Sequence, residues 1–163
     1  MEKKTMKVSI LMGSKSDLDT VQETVNIFKQ FGVSYELKVY SAHRTPKDLA
    51  RYVEGLPKKG FGVVIAAAGM SAALAGTVAA HTTLPVIGIP IETKTLKGLD
   101  SLLSTVQMPK GVPVACMSIG KSGAQNAALF ACQILALYDE SLNKKMKAFK
   151  EEMAEAIRKI KIL

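Results

Sequence analysis

The stretch MKVSILMGSKSD, residues 6–17, decides the architecture. Val8, Ile10, Leu11 and Met12 put apolar side chains on both parities of the run, so the segment lacks the alternation of a half-exposed strand and predicts one buried on both faces. GSKSD then breaks the run and leads into a helical period, with Leu18, Val21, Val25 and Phe28 on one face. Ser16 with Asp19 three residues later reads as a capping box that starts this helix, and Gly32 ends it.

Outward from that unit the pattern repeats. VSYELKVY (33–40) predicts a second strand, TPKDLARYVEGL (45–56) a helix, GVVIAAAG (62–69) a third strand, SAALAGTVAAHTT (71–83) an Ala-rich helix and LPVIGIP (84–90) a fourth strand. ETKTLKGLDSLLSTVQMPKG (92–111) reads as a long loop. PVACMSI (113–119) is then a fifth strand, followed by a helix from about Ser122 to Tyr138 and a last helix to the C-terminus. Val- and Ile-rich strands separated by helices predict a parallel sheet covered on both faces, the doubly wound α/β sandwich. The expected organisation is a single domain over 1–163, with an N-terminal tail (1–5), an α/β core (6–138) and a C-terminal helix (139–163).

Composition excludes several classes. With 163 residues, 48% hydrophobic and 22% charged, the chain can bury a real core. The first residues, MEKKTMKV, have no apolar signal core, and no apolar stretch approaches the ~20 residues needed to span a bilayer, so a cytoplasmic protein is expected. Cys116 and Cys132 are the two cysteines; both lie in apolar segments without CxxC spacing and are expected as buried, reduced thiols. The net charge of +8 sits largely at the two ends, where acids interleave with bases, and no basic stripe with interleaved aromatics points to nucleic acid. A small anionic substrate fits this charge better.

Doubly wound sheets bind ligands beyond the carboxyl ends of their strands, where the strand order reverses. Three loops therefore carry the candidate site. GSKSD places Gly13, Ser14 and Ser16 where backbone N–H groups and hydroxyls favour phosphate, with Asp17 suited to ribose hydroxyls; it is neither a Walker A loop nor GxGxxG. SAHRTP (41–46) adds Ser41, the bidentate fork of Arg44, and His43, the residue type that exchanges protons near neutral pH. The third loop, AAAGMSAALAG (66–76), contributes small residues, including Ala68, Gly69 and Ser71, that let backbone approach a flat ligand. His81, late in the Ala-rich helix, reads as structural or surface.

Taken together, GSKSD, SAHRTP, LKGLDSLLSTVQMPKGVPVA and IGKSGAQNAALFACQILALYD resemble the phosphoribosylaminoimidazole carboxylase catalytic-subunit family of purine biosynthesis, from about Lys7 to Glu140. The resemblance implies a flavodoxin-like three-layer sandwich, assembly as a homo-octamer, and chemistry without metal or cofactor. It implies carboxylate transfer, from the exocyclic nitrogen of N5-carboxyaminoimidazole ribonucleotide to the adjacent ring carbon, through carbon dioxide held in the pocket. His43 would be the general acid and base. Gly13, Ser14, Ser16, Asp17, Ser41, Arg44, Ala68, Gly69, Ser71 and Leu74 would bind the substrate, Ser41 supporting the phosphate.

One departure stands out. The mutase branch of the family reads AGAGGAAHLPG after strand three, and this chain has Ala73 where that pattern has a histidine. AGMSAALAG is closer to the AGRSNALSG of the branch that carboxylates aminoimidazole ribonucleotide directly with carbon dioxide, although that branch carries SAHKT. His81 does not substitute: eight residues along a helix is about 12 Å of rise. Mutase, direct carboxylase, a carboxylase of another nucleotide and a non-catalytic nucleotide-binding protein are the alternatives. A response-regulator receiver is excluded, because strand three ends in Ala-Ala-Gly where a phosphoacceptor Asp is needed. In the tail, Leu142, Met146, Phe149, Met153, Ile157 and Ile160 form an amphipathic stripe expected to pack across an oligomer.

Overall fold

A computed structural model of the chain describes residues 6–161. The expected tail at 1–5 lies outside the described residues. Five strands, β1 (Lys7–Met12), β2 (Tyr35–Val39), β3 (Phe61–Ala68), β4 (Val86–Pro90) and β5 (Ala115–Cys116), form one all-parallel sheet in the order β2-β1-β3-β4-β5. The helices are α1 (Leu18–Phe31), α2 (Pro46–Glu54), α3 (Leu74–Ala80), α4 (Leu99–Val106), α5 (Gly120–Ala136) and α6 (Glu140–Arg158). This is the flavodoxin-like, doubly wound three-layer sandwich, and the strand order reverses between β1 and β3.

The pleat divides the core in two. Val8, Ile10 and Met12 of β1 point to one face with Ile65 and Ile89, under Val21, Val25 and Phe28 of α1 and the Ala124–Ala128–Ala131 stripe of α5. Leu11, Val64 and Ala66 point to the other, under Leu49 and Val53 of α2 and Leu74 and Val78 of α3. Each fully buried large side chain contributes about 1.5–3 kcal/mol. Small residues on α5 let it lie close to the sheet and to α1, where Thr24 Oγ1 donates to the Ala124 carbonyl at 2.8 Å. Gly32 ends α1 at φ 72°, a left-handed cap that glycine adopts without steric cost.

Three local expectations are corrected. The capping box is Ser14 with Asp17, two residues earlier than Ser16 with Asp19, and it caps a single 3-10 turn (Lys15–Asp17) that precedes α1. The 92–111 segment is not a plain loop, because α4 forms within it. Sheet contact overrides its loop-like composition: Ser101 Oγ donates to the Ile91 carbonyl at 2.6 Å, and Ser101 and Thr105 are buried against β4. A Cβ on Gly88 would overlap Thr105 Cγ2, so glycine in β4 is what lets α4 seat. The fifth strand is two residues long, and Val114 and Met117 flank it outside the ladder.

The tail stripe splits. Leu142 and Met146 are buried on α5 and Phe149 meets Phe31 edge-on at 5.4 Å, whereas Met153, Ile157 and Ile160 are exposed. No helix among the described residues is long and apolar enough to cross a membrane.

Candidate active site

A cleft of about 700 Å³ opens at the carboxyl ends of the strands, over the point where the order reverses. Every candidate residue lines it: Gly13, Ser14, Ser16 and Asp17 after β1, Ser41, His43 and Arg44 after β2, and Ala68, Gly69, Ser71 and Leu74 after β3. A second cleft of about 640 Å³ lies at the amino ends, against Phe31, Phe61, Leu135 and Leu142. Its two charged side chains are already committed, Lys145 Nζ to the Phe31 carbonyl at 2.9 Å and Asp139 to capping α6. Of these two clefts, the first is the one that gathers a histidine, an arginine and a hydroxyl-bearing turn.

The β1 loop is held by its own cap. Ser14 N–H donates to Asp17 Oδ2 at 3.1 Å, Ser16 Oγ donates to Asp17 Oδ1 at 3.2 Å, and Ser14 Oγ accepts from the backbone and hydroxyl of Ser16. Asp17 is buried at 8% exposure, and that burial pushes its carboxyl above the usual range, while the bonds from Ser16 and Ser14 pull the other way. A carboxylate has lone pairs left for a ribose hydroxyl after these two contacts.

The β2 loop is a tight turn. Thr45 N–H donates to the Ser41 carbonyl at 2.9 Å, and Pro46 follows at the start of α2, where its missing N–H costs nothing. Ser41 Oγ accepts from Arg44 N at 3.1 Å and Arg44 Nε at 3.3 Å, while Arg44 Nη2 reaches the Gly13 carbonyl at 3.4 Å. The guanidinium is thus anchored on one edge, and Nη1 has no protein partner among the described residues. His43 is exposed on this turn and faces the cleft beside Arg44.

The cleft also has a wall that the sequence reading left out. Ile91, Glu92, Thr93 and Lys94 follow β4 and line the site. Ile91 N–H donates to the Ala68 carbonyl at 2.9 Å, and Thr93 Oγ1 donates to Asp100 Oδ1 at 2.9 Å, tying this loop to α4. The signal was present, since the carboxyl-end rule applies to β4 as to its neighbours. Ala73 lines the cleft just before α3, and its carbonyl accepts both the backbone and the hydroxyl of Thr77. His81 sits at the far end of α3, where Nδ1 is 3.0 Å from Glu54 Oε1, outside the cleft.

The cleft thus brings a capped serine turn, an arginine fork and one histidine together beside a run of small residues. The sequence model of the family described as AIR carboxylase matches residues 7–156. The chain belongs to the AIR carboxylase family. Among relatives named N5-carboxyaminoimidazole ribonucleotide mutase, that of Vibrio parahaemolyticus is 52% identical over 152 residues, covering 93% of this chain and 94% of the relative. That of Saccharolobus solfataricus is 54% identical, covering 90% and 92%. The crystal structure of Treponema denticola PurE superposes with a TM-score of 0.82 at 29% identity, covering 92% of each chain. All four quoted motifs, and the Ala73 departure, lie inside the matched region.

Proposed function

We propose that this protein is an N5-carboxyaminoimidazole ribonucleotide mutase of de novo purine biosynthesis. The observation that carries the reading is the convergence of His43, Arg44, Ser41, Ser14 and Asp17 on one cleft, in a chain with relatives of that name at 51–54% identity over more than nine-tenths of their length. The nucleotide's phosphate lies against Arg44, Ser41 and the Ser14–Ser16 turn. Asp17 accepts a ribose hydroxyl, and the flat imidazole rests on the Ala68–Gly69–Ser71 backbone, with Leu74 behind it.

In this reading His43 works twice. As imidazolium it gives a proton to the exocyclic nitrogen while the N–carboxyl bond breaks with its electron pair going to nitrogen, releasing carbon dioxide. The ring carbon then attacks that carbon dioxide to form the C–C bond. His43, now neutral, removes the ring-carbon proton and returns to imidazolium. No electrons are gained or lost overall, and no cofactor is called for.

The reading includes a homo-octamer, and the exposed apolar side chains support self-association. Leu99, Leu103 and Val106 along α4, and Met153 and Ile157 along α6 with Ile160 just beyond it, leave two apolar stripes open to solvent on the single chain. We place the enzyme in the cytoplasm, with its small-molecule substrate. Ala73 is the observation that favours a second reading, direct carboxylation of aminoimidazole ribonucleotide by carbon dioxide.

Turnover of each donor in parallel separates the readings, with His43→Asn as control. Conversion of the N-carboxylated nucleotide without added bicarbonate establishes the mutase. Activity confined to aminoimidazole ribonucleotide with bicarbonate assigns the carboxylase, and silence with both donors leaves a nucleotide-binding protein.

A further inference from the structure

Met70 stands at the rim of the cleft with 70% of its surface exposed and a backbone φ of 58°. A side chain with a Cβ resists this left-handed conformation, which glycine adopts freely, and such strain persists only where the surroundings impose it. Here two backbone hydrogen bonds do so, Ala72 N–H to the Met70 carbonyl at 2.8 Å and Ala73 N–H to the Ser71 carbonyl at 2.7 Å. Behind the turn the wall is small and apolar: Ala68, Ala72, Ala73, Leu74 and Ile91. A long, unbranched thioether side chain therefore stands exposed at the rim, beside this apolar wall.

We propose that Met70 is the gate that retains the one-carbon unit between the two halves of the reaction. The inference rests on the mutase reading. Between cleavage of the N–C bond and formation of the C–C bond, the migrating group is carbon dioxide, which is neutral and has no proton to donate. Arg44 and Lys94 hold anions and have little grip on it, so retention depends on closed apolar walls. Ala73 supplies only a methyl group to that wall, and Met70 is the neighbouring side chain with the length and flexibility to fold across it. Substrate binding covers the exposed thioether, so closure also removes apolar surface from water.

The test uses N5-carboxyaminoimidazole ribonucleotide labelled with ¹³C in its carboxyl group, in unlabelled bicarbonate, with the full chain, Met70→Gly and Met70→Leu. Glycine relieves the left-handed strain, so the variant keeps its thermal midpoint; leucine preserves apolar bulk. The wild type and Met70→Leu are expected to retain the label in the C-carboxylated product. Met70→Gly is expected to lose several-fold more label to solution and to accumulate aminoimidazole ribonucleotide. Equal retention in all three proteins overturns the gate, as does complete loss of label by the wild type. Failure of the wild type to convert the nucleotide at all overturns the mutase reading and the gate with it, an outcome distinct from conversion with equal retention.

Discussion

The hydroxyl oxygen of Ser41 accepts both the backbone N–H and the Nε–H of Arg44, at 3.1 and 3.3 Å. One short side chain therefore sets the turn and aims the guanidinium that the turn carries. Removing it leaves the charge in place but frees its direction. Ser41→Ala is expected to raise KM about tenfold, as befits a lost hydrogen bond to a charged group, with kcat changed far less. Arg44→Lys is expected to be worse, because an ammonium has no fork to share between Ser41 and a phosphate. Steady-state kinetics of both variants check the order; an unchanged KM in Arg44→Lys would falsify the phosphate assignment.

Asp17 makes a second prediction, through pH. Its folded carboxyl titrates above the ordinary 3.8 because it is buried. In the window from that value up to the folded value, the folded chain binds more protons than the unfolded one, so Asp17 makes stability fall as pH rises. Asp17→Asn keeps an oxygen acceptor for the Ser14 N–H and removes the titration. Urea midpoints measured from about pH 4 to about pH 7 should fall less steeply with rising pH in the variant; parallel profiles would show that the carboxyl is not the source.

Cys132 is expected to be silent. Burial pushes its thiol from 9.0 up to about 12, which cuts the thiolate fraction near neutral pH about a thousandfold. A thiol-specific reagent should modify Cys116, half-buried in β5, well before Cys132, and Cys116→Ala should abolish the fast phase in the native protein while leaving one reactive thiol in denaturant. The same shift removes stability at alkaline pH. Above about 9 the unfolded thiol loses its proton while the folded one keeps it, so this contribution is lost as pH climbs toward 12.

Gly88 and Thr105 form a steric pair. Gly88→Ala drives a methyl group into Thr105 Cγ2 and presses on Val114, and is expected to destabilise the chain by about 1–3 kcal/mol. Thr105→Ser deletes that Cγ2 and keeps the hydroxyl that donates to the Ser101 carbonyl at 2.7 Å. The double variant should recover part of the loss in a thermal or urea denaturation cycle. Additive effects would mean that α4 is not seated by this contact.

Much of this was legible in particular residues. The apolar runs at Val8–Met12 and Val63–Ala67 have no alternation, and that alone implies strands covered on both faces; parallel pairing then sends the loops of interest to one end of the sheet. His43, Arg44, Ser14 and Asp17 followed from that rule and from side-chain chemistry, and they share one cleft. Local pattern misled where two readings compete over a few residues. Ser16–Asp19 and Ser14–Asp17 are both plausible caps, and the tie from Ser14 N–H to Asp17 Oδ2 exists only once the 3-10 turn has formed.

Periodicity and residue chemistry were sufficient for the layers, the strand direction and the proton-transfer and anion-binding groups, because each is carried by neighbours within one element or one loop. They were insufficient for α4, whose eight residues are stabilised by Ser101 on the Ile91 carbonyl and by the gap at Gly88. They were equally insufficient for the Glu92–Lys94 wall and for the left-handed Met70. Those features arise from packing between segments distant in the chain and from backbone bonds that close only around an assembled sheet, and a residue pattern has no term for either.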